Sequence, residues 1–254
     1  FLMTKHKKMP LGKSLLAYPL SVLFYLVYGL LLCVFHPIQW VSLKVGGYKA
    51  HKKTVDVLNG LLTLSLCVLG TRVKFINKYK FDNSVPHIIV SNHQSTHEIS
   101  PLGWFFRKLH PKYVAKKELG KGLPSVSFNL KYGGSALIDR KDARQALSEI
   151  GKFAKYLKAN KRSGIIFPEG TRSRDGQPKR FSENGLKILT KFASNAVVIP
   201  VSINNSWKLW EYGQFPMNIG VKMTIETHEP IAAADKSFEE LFAEVEQKVK
   251  SKIN

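Results

Sequence analysis

The chain has 254 residues, enough for one domain of ordinary size and an appendage. Hydrophobic residues make up 44% and aromatic residues 11%, which excludes disorder throughout the chain because a core can be buried. Lys and Arg number 39 against 18 Asp and Glu, so the net charge is +21. That surplus predicts an anionic partner: nucleic acid, an anionic membrane surface or a phosphorylated substrate.

The first predicted element is an uncharged apolar run, residues 14–35, which as a helix could cross a hydrocarbon core of about 30 Å. A second run, residues 57–70, is too short to span alone. Basic clusters flank the first run, and a single span would put one outside, against the positive-inside tendency. We therefore predict a hairpin that dips into one leaflet, with both clusters cytoplasmic; a true span and a buried core helix are the alternatives. The clusters are Lys5, Lys7, Lys8 and Lys13 before the run, and Lys44, Lys49, Lys52 and Lys53 after it.

Two cysteines, Cys33 and Cys67, lie in these apolar runs, where packing residues are expected. Two cysteines do not make a disulfide framework, which is typical of a reducing compartment.

From about residue 84, short apolar runs that read as strands alternate with helical patterns. The predicted strands cover residues 87–92, 113–116, 135–139, 164–168, 196–203 and 222–227. The predicted helices cover residues 142–160, with Asp142 as N-cap, 183–194 and 237–253. This alternation predicts an α/β fold: a mixed, largely parallel sheet flanked by helices, preceded by a hydrophobic two-helix membrane-binding element. We place the membrane-associated hairpin in residues 1–75 and the α/β domain in residues 76–254.

The stretch SNHQSTHEIS, residues 91–100, follows the first of these strands and contains His93, His97 and Glu98. One interpretation is a metal site formed by these three residues. The other is a general base, His93, oriented by the Glu98 carboxylate. A zincin motif needs Glu directly after its first histidine, and Gln94 stands there instead.

Two later stretches carry charge at strand ends. GGSALIDR ends at Arg140, and an arginine can bind phosphate in a bidentate manner. IIFPEGTRSRDG places Glu169, Gly170, Thr171 and Arg172 directly after a buried strand, where they could form a phosphate cradle. The alternatives are a surface salt bridge for the first stretch and a solvated basic turn for the second.

These motifs occur together in the order NHQSTHE, GSALIDR, FPEGTR and VIPV. In that order they resemble the glycerolipid acyltransferase family, most closely its bacterial 1-acyl-glycerol-3-phosphate acyltransferases, over roughly residues 85–205. The block KKEL also resembles a block where the family carries a lysine, here Lys116.

The resemblance implies acyl transfer from an acyl-CoA or acyl carrier protein (acyl-ACP) thioester to the sn-2 hydroxyl of 1-acyl-glycerol-3-phosphate, making phosphatidic acid. It implies His93 as general base, oriented by Glu98, with no covalent acyl-enzyme, no metal and no cofactor beyond the thioester co-substrate. The implied substrate-binding residues are Lys116, Arg140, Glu169, Gly170, Thr171, Arg172 and Pro200. Arg140 and Arg172 would hold the glycerol phosphate, and Pro200 would shape the wall of the site.

The sequence departs from the family pattern at Glu98, where the motif usually ends in Asp. The longer side chain makes the geometry of the dyad an open question, and His97 is expected to be a neutral neighbour. Other acceptors remain open: another lysophospholipid, a lyso-aminolipid or glycerol 3-phosphate, as does a non-catalytic anionic-lipid-binding membrane protein. Basic residues are spread along the chain without a nucleic-acid-binding pattern, so we expect no nucleic-acid partner. The expected location is the cytoplasmic face of a bacterial inner membrane, and the oligomeric state is open.

Overall fold

The computed structural model describes residues 8–253, so Lys5 and Lys7 of the first basic cluster lie outside the described residues. The first element is α1, Leu11–Ser65, which is interrupted at Gly47, where φ is 60° and ψ is −156°. The hydroxyl oxygens of Ser42 and Thr54 lie 3.3 Å apart. Twelve residues of continuous helix would rise about 18 Å, so the chain reverses direction at Gly47. The helix is therefore a hairpin with a first arm, residues 11–46, and a second arm, residues 48–65.

The first arm has a long apolar face that the protein does not cover. Large side chains on it are exposed along its whole length, including Leu15 (69%), Leu26 (65%), Leu30 (64%) and Val45 (85%). This is one helix that, by length and composition alone, could cross a membrane. Cys33 and Cys67 are also exposed, so the expectation that both are buried packing residues was wrong.

The α/β domain is built on an eight-stranded sheet within the described residues, in the order β1-β7-β6-β2-β5-β3-β4, with β8 beside β6. The strands are β1 Arg72–Ile76, β2 His87–Ser91, β3 Pro111–Lys116, β4 Ala136–Ile138, β5 Ser163–Ile166, β6 Val197–Asn204, β7 Lys222–Thr227 and β8 Ile231–Ala232. The five strands from β2 to β6 run parallel. Strands β7 and β8 pair antiparallel with β6, and β1 is parallel to β7. The predicted fold class is confirmed.

Helices cover both faces of the sheet because successive strand residues point to opposite sides. The remaining helices are α2 Ile99–Phe105, α3 Val126–Tyr132, α4 Ala143–Asn160, α5 Glu183–Phe192 and α6 Phe238–Lys250. Ile88 and Val90 pack with α4, α5 and α6, whereas Ile89 packs with residues of α2 and α3. The hairpin adds a third apolar cluster through Phe24, which is grouped with Leu66 directly after the second arm.

All six predicted strands and all three predicted helices are present, with Asp142 capping α4 through a 3.0 Å hydrogen bond from the backbone of Gln145. The sequence did not predict β1, β8, α2 or α3. Strand β1 crosses the predicted domain boundary at residues 75 and 76, and that boundary stays a prediction.

Candidate active site

His93 and Glu98 lie beyond the carboxyl end of β2, where parallel α/β sheets place their chemistry. Nδ1 of His93 contacts Oε1 of Glu98. A tight turn over Thr96–Glu98 brings the two together, and Ser95 begins it with a capping box: its hydroxyl accepts from the backbone while Glu98 accepts from the Ser95 N–H. A carboxylate five residues from the histidine is therefore folded back onto it by local backbone hydrogen bonds.

The Glu98 carboxylate is fully buried and has several donors around it. The backbone N–H of Gln94 donates to it at 3.1 Å, that of Ser95 at 3.1 Å, and the hydroxyl of Ser206 at 2.7 Å. These donors stabilise a buried anion that would otherwise be costly. They also fix the position of the longer side chain, so Glu in place of the usual Asp reaches the imidazole.

The imidazole of His93 stacks on the ring of Phe167, with centroids 4.2 Å apart. The backbone N–H of His93 donates to Oε1 of Glu169 at 2.9 Å, and the backbone carbonyl of His93 accepts from the backbone N–H of Ser173 at 2.7 Å. With Nδ1 engaged by Glu98, Nε2 has no hydrogen-bond partner among residues 8–253, and His93 lines a cavity. The dyad therefore presents Nε2 to whatever occupies that cavity.

The loop after β5 holds the FPEGTR residues around this histidine. Glu169 accepts from His93 and, at 3.2 Å, from the backbone of Lys179, so it ties the two motifs together. Burial raises the pKa of the Glu169 carboxyl, an effect that these two N–H donors oppose. Gly170 has a φ of 68°, which favours glycine, and its carbonyl accepts from the guanidinium of Arg140. The hydroxyl of Thr171 accepts from Nζ of Lys179 at 2.9 Å.

Arg140 and Arg172 lie close enough for their charges to repel. Burial lowers the pKa of Arg140, the charge of Glu118 opposes this effect, and the charge of Arg172 adds to it. Burial also lowers the pKa of Arg172, followed by the charge of Arg174. No carboxylate within residues 8–253 forms an ion pair with either guanidinium, and both line the cavity. Half-buried, unpaired arginines of this kind are suited to an anionic ligand.

The cavity has a volume of about 980 Å³ and joins the polar groups to an apolar space. Both arms of α1, together with α3 and β3, supply its apolar walls, for example Leu32, Leu58 and Leu130. Lys116, at the end of β3, also lines it. Pro200 is buried in β6 beside Val90 and is not among the described residues that line the cavity.

His97 is surrounded by aromatic rings, which form what we call the aromatic box. Its ring does not contact the imidazole of His93, so the two histidines do not share a metal site. Its ring lies edge-on to Phe24 and Tyr28 of α1, at 5.5 and 5.8 Å between centroids, and to Trp210 at 5.5 Å. Burial, and to a lesser extent Arg172, lowers the pKa of His97 to about 4. In the part of the chain that the structure describes, no three His, Cys, Asp or Glu side chains are grouped to hold a metal ion.

The sequence profile of the Acyltransferase family matches residues 72–204, more than half of the chain. The chain belongs to the acyltransferase family. The matched segment contains the dyad, Arg140 and the FPEGTR loop, whereas the arms of α1 that line the cavity lie outside it.

Several similar proteins are named 1-acyl-sn-glycerol-3-phosphate acyltransferase. The Saccharomyces cerevisiae protein is 35% identical over 42% of this chain and 34% of its own length. The Helicobacter pylori protein is 35% identical over 48% of this chain and 50% of its own length. The Pseudomonas aeruginosa protein is 33% identical over 59% of both. This acyltransferase thus matches about a third to three fifths of the length of these relatives.

The fold of this acyltransferase also matches a crystal structure of the 1-acyl-sn-glycerophosphate acyltransferase from Thermotoga maritima. The TM-score is 0.73 over 92% of this chain and 93% of that one, at 24% sequence identity. Because the match includes nearly the whole chain, it extends to the N-terminal hairpin as well as the sheet.

Sequence reasoning missed two residues of the acyltransferase site. Ser206, at the start of the turn after β6, donates to Glu98. Trp210 lies at the end of the same turn. Its ring centroid is 5.3 Å from Cζ of Arg172, and the ring also contacts His97. Neither belongs to a recognisable motif, and both are more than 30 residues from the residues that they contact. Only the pairing of β6 with β2 brings them to the site.

Proposed function

We propose that the protein transfers a fatty acyl chain from a thioester to the sn-2 hydroxyl of 1-acyl-glycerol-3-phosphate, which yields phosphatidic acid. One observation carries this proposal: Nε2 of the buried His93–Glu98 dyad faces a cavity that has two unpaired arginines and long apolar walls. An acceptor with one hydroxyl, one phosphate and one acyl chain has a complementary group for each of these features.

The dyad supplies the base. An alcohol has a pKa far above 7, and the Nε2 lone pair takes its proton as the oxygen attacks the thioester carbonyl carbon. Glu98 holds Nδ1–H and stabilises the imidazolium that forms. Collapse of the tetrahedral intermediate breaks the C–S bond, and the imidazolium returns its proton to the leaving thiolate. The chemistry requires neither a covalent acyl-enzyme nor a metal or further cofactor.

Arg140 and Arg172 hold the phosphate in this proposal. Each charge-assisted contact to a phosphate oxygen contributes about 1.5–3 kcal/mol. The two guanidiniums repel each other without a ligand, so a dianionic phosphomonoester relieves that repulsion. Lysophosphatidic acid is therefore favoured over a zwitterionic lysophospholipid or a lyso-aminolipid, while glycerol 3-phosphate lacks the acyl chain that the apolar walls would bury.

The exposed apolar hairpin supports a location at a membrane surface. The exposed apolar residues follow the first arm from Leu11 to Val45, whereas Lys44 and Lys49 flank the turn at Gly47. If the hairpin entered the membrane with the Gly47 turn leading, these lysines would be buried in lipid. In this proposal the first arm therefore lies along the membrane surface, where its flanking lysines contact anionic head groups. The cytoplasmic face of a bacterial inner membrane supplies both those lipids and an acyl-CoA or acyl carrier protein donor.

The test is a panel of acceptors assayed with purified full-length protein in detergent micelles. Lysophosphatidic acid, lysophosphatidylethanolamine, a lyso-aminolipid and glycerol 3-phosphate are each supplied with one acyl-CoA and one acyl-ACP, and products are identified by mass. The His93→Ala variant controls for contaminating acyltransferases. We expect phosphatidic acid as the main product. Tight binding of lysophosphatidic acid with no thioester cleavage above the His93→Ala background would instead identify a non-catalytic lipid-binding protein.

A further inference from the structure

A second group of cations lies at the opposite edge of the sheet from the dyad. Lys112 is at the amino-terminal end of β3, and Arg162 directly precedes β5. His93 and Arg172 follow the carboxyl ends of the same parallel layer. Strands of four to six residues separate the two edges by about 13–20 Å at 3.3 Å per residue. The catalytic cavity does not include either Lys112 or Arg162.

Tyr48, the residue after the hairpin turn, organises this group. The guanidinium of Arg162 lies 3.6 Å from the centroid of the Tyr48 ring, and Nζ of Lys112 lies 5.0 Å from it. The Tyr48 hydroxyl is 3.1 Å from Nδ1 of His110. Stacking at these distances fixes both cations against one aromatic surface. We call Tyr48, His110, Lys112 and Arg162 the Tyr48 cluster.

The cations of the Tyr48 cluster lack a neighbouring carboxylate of their own. The charges of Lys52 and Arg107 are also close, since both lower the pKa of Asp56. Among the described residues, Asp56 is the one acidic side chain whose charge affects Lys112. Asp56 is already paired with Lys52. Lys112 is only 6% exposed, so its charge is both desolvated and uncompensated. Burial, with the charges of Arg162 and Lys52, lowers the pKa of Lys112 to about 7.

Fixed cations with unused donors are the features of an anion site. Neither Arg162 nor Lys112 forms a side-chain hydrogen bond or ion pair with another residue within 8–253. Arginine held flat by stacking keeps its outer N–H groups available for phosphate oxygens, and lysine adds a point charge beside it.

We propose that the Tyr48 cluster binds a phosphate group at a site separate from the catalytic cavity. Arg162 and Lys112 provide the charge-assisted donors, and the Tyr48 ring holds them in place. Two sources have this chemistry: the head group of an anionic phospholipid and free inorganic phosphate. The head group is favoured because Trp40 (53% exposed) and Val45 (85% exposed) lie on the first arm just before the turn at Gly47, which Tyr48 directly follows. At a membrane surface, apolar side chains such as these usually enter the lipid while neighbouring cations contact the head groups.

The competing explanation is purely structural. Helix α4 ends at Asn160, and the C-terminal end of a helix attracts cations through its exposed carbonyls. If Arg162 and Lys112 served only that purpose, an added anion would not stabilise the fold through them.

The experiment uses full-length protein in neutral detergent in which Arg140→Ala and Arg172→Ala remove the catalytic phosphate contacts. Inorganic phosphate is titrated against inert salt at constant ionic strength, and the shift in melting temperature is recorded. Binding to the folded state alone raises the melting temperature as phosphate increases. Arg162→Gln and Lys112→Met are the test variants. Lys158→Gln is the matched control because Lys158 is an exposed cation on the nearby last turn of α4.

We expect phosphate to stabilise the background protein and the Lys158→Gln control, and each test variant to weaken the apparent affinity about 10-fold or more. Far-UV circular dichroism without phosphate verifies that the variants fold; two independent test variants keep the outcome readable if one does not. Equal stabilisation of test and control variants, or none in the background protein, would overturn the proposal.

Vesicles separate the two sources of phosphate. Binding is compared for phosphatidylcholine vesicles with and without phosphatidylglycerol. If Arg162→Gln loses more of the phosphatidylglycerol-dependent binding than Lys158→Gln, the ligand is the lipid head group, since both variants lose one positive charge. Equal loss in both variants, with the phosphate effect on melting still abolished by Arg162→Gln, assigns the site to free phosphate.

Discussion

Oε2 of Glu98 accepts a 2.7 Å hydrogen bond from the hydroxyl of Ser206, a residue 108 positions later in the chain. The other oxygen of the same carboxylate contacts Nδ1 of His93. The two oxygens of one buried carboxylate thus contact two different side chains, in addition to the backbone donors. The longer glutamate still contacts the imidazole, because the backbone donors and Ser206 hold its carboxylate beside His93.

The first prediction concerns the dyad. His93→Ala should lower kcat about 10²–10⁴-fold, because a positioned general base is lost. Glu98→Gln should lose most of the activity, since its amide NH2 would face donors and no charge would stabilise the imidazolium. Glu98→Asp keeps the charge but shortens the side chain by about 1.5 Å, so its activity should lie between those of wild type and Glu98→Gln. Initial rates of thiol release with saturating acceptor measure all three.

EDTA should leave the wild-type rate unchanged, since the proposed base needs no metal. Suppose instead that His97→Ala is as inactive as His93→Ala, and that EDTA inactivates the enzyme while zinc or manganese restores it. Then His93, His97 and Glu98 bind a metal ion and the dyad proposal is wrong.

The second prediction concerns Ser206, one of the two site residues that sequence reasoning missed. Ser206→Ala removes one donor from the buried carboxylate, and hydrogen bonds to charged groups contribute about 1.5–3 kcal/mol. We expect kcat to fall about 10-fold or more while KM for the acceptor changes little, because Ser206 touches Glu98 and not the proposed ligand. Ser206→Thr keeps the hydroxyl and should recover part of the activity. Equal activity of Ser206→Ala and wild type would show that this contact does not position Glu98.

Local patterns were sufficient to predict the parts of the fold that depend on neighbours in sequence. Strand β5 and helix α4 have clear hydrophobic patterns, and the structure contains both within a few residues of the predicted bounds. The FPEGTR loop was located because its charges directly follow a buried strand. Ser206, the distant partner of Glu98, could not be found in this way, because it reaches the site only when β6 pairs with β2.

The hairpin shows the opposite case, where tertiary contacts override local pattern. The sequence predicted two helical runs separated by residues 36–56, but that segment is helical apart from Gly47. Its polar residues are held by other parts of the fold: the backbone of Ser125 donates to His36 at 3.1 Å, and His51 packs edge-on to Phe128. These contacts stabilise helix in a stretch that contains Pro37 and two adjacent glycines.

The third prediction concerns the phosphate of the acceptor. Arg172→Ala should raise KM for lysophosphatidic acid and lower turnover, because it removes a charged contact and a group stacked on Trp210. Arg140→Ala should act in the same direction. The matched control is Arg144→Ala, which removes an exposed arginine at the start of α4. Steady-state kinetics over a range of acceptor concentrations measure the effect; if Arg172→Ala behaved like Arg144→Ala in a folded protein, the phosphate assignment would be wrong.

The fourth prediction uses the aromatic box around His97. Its pKa in the folded protein is about 4, below the ordinary value of 6.5, mainly because of burial. Below pH 6.5 the unfolded chain therefore binds a proton that the folded chain does not, so stability is present above pH 6.5 and is lost as the pH falls toward 4. The loss approaches about 1.4 kcal/mol per pH unit between those two values.

Replacing His97 with phenylalanine removes this proton uptake and keeps an aromatic ring against Phe24. The free energy of unfolding of His97→Phe should therefore fall less between pH 7 and pH 5 than that of wild type, as measured by chemical denaturation at both values. Other buried histidines titrate in both proteins and cancel in the comparison. The variant should also retain much more activity than His93→Ala. An identical pH dependence in the two proteins would mean that His97 is not protected from protonation by the fold.

The last prediction concerns the membrane and uses single cysteines at positions 8 and 49. Cys33 and Cys67 are exposed and are first replaced by serine, so that neither reacts. Positions 8 and 49 lie beyond opposite ends of the first arm, whose 36 residues, 11–46, measure about 54 Å at 1.5 Å per residue. If the arm lies along the cytoplasmic surface, an impermeant thiol reagent should label neither position in intact cells and both after the membrane is opened. Labelling of only one position in intact cells would establish a transmembrane first arm, and the surface arrangement would be wrong.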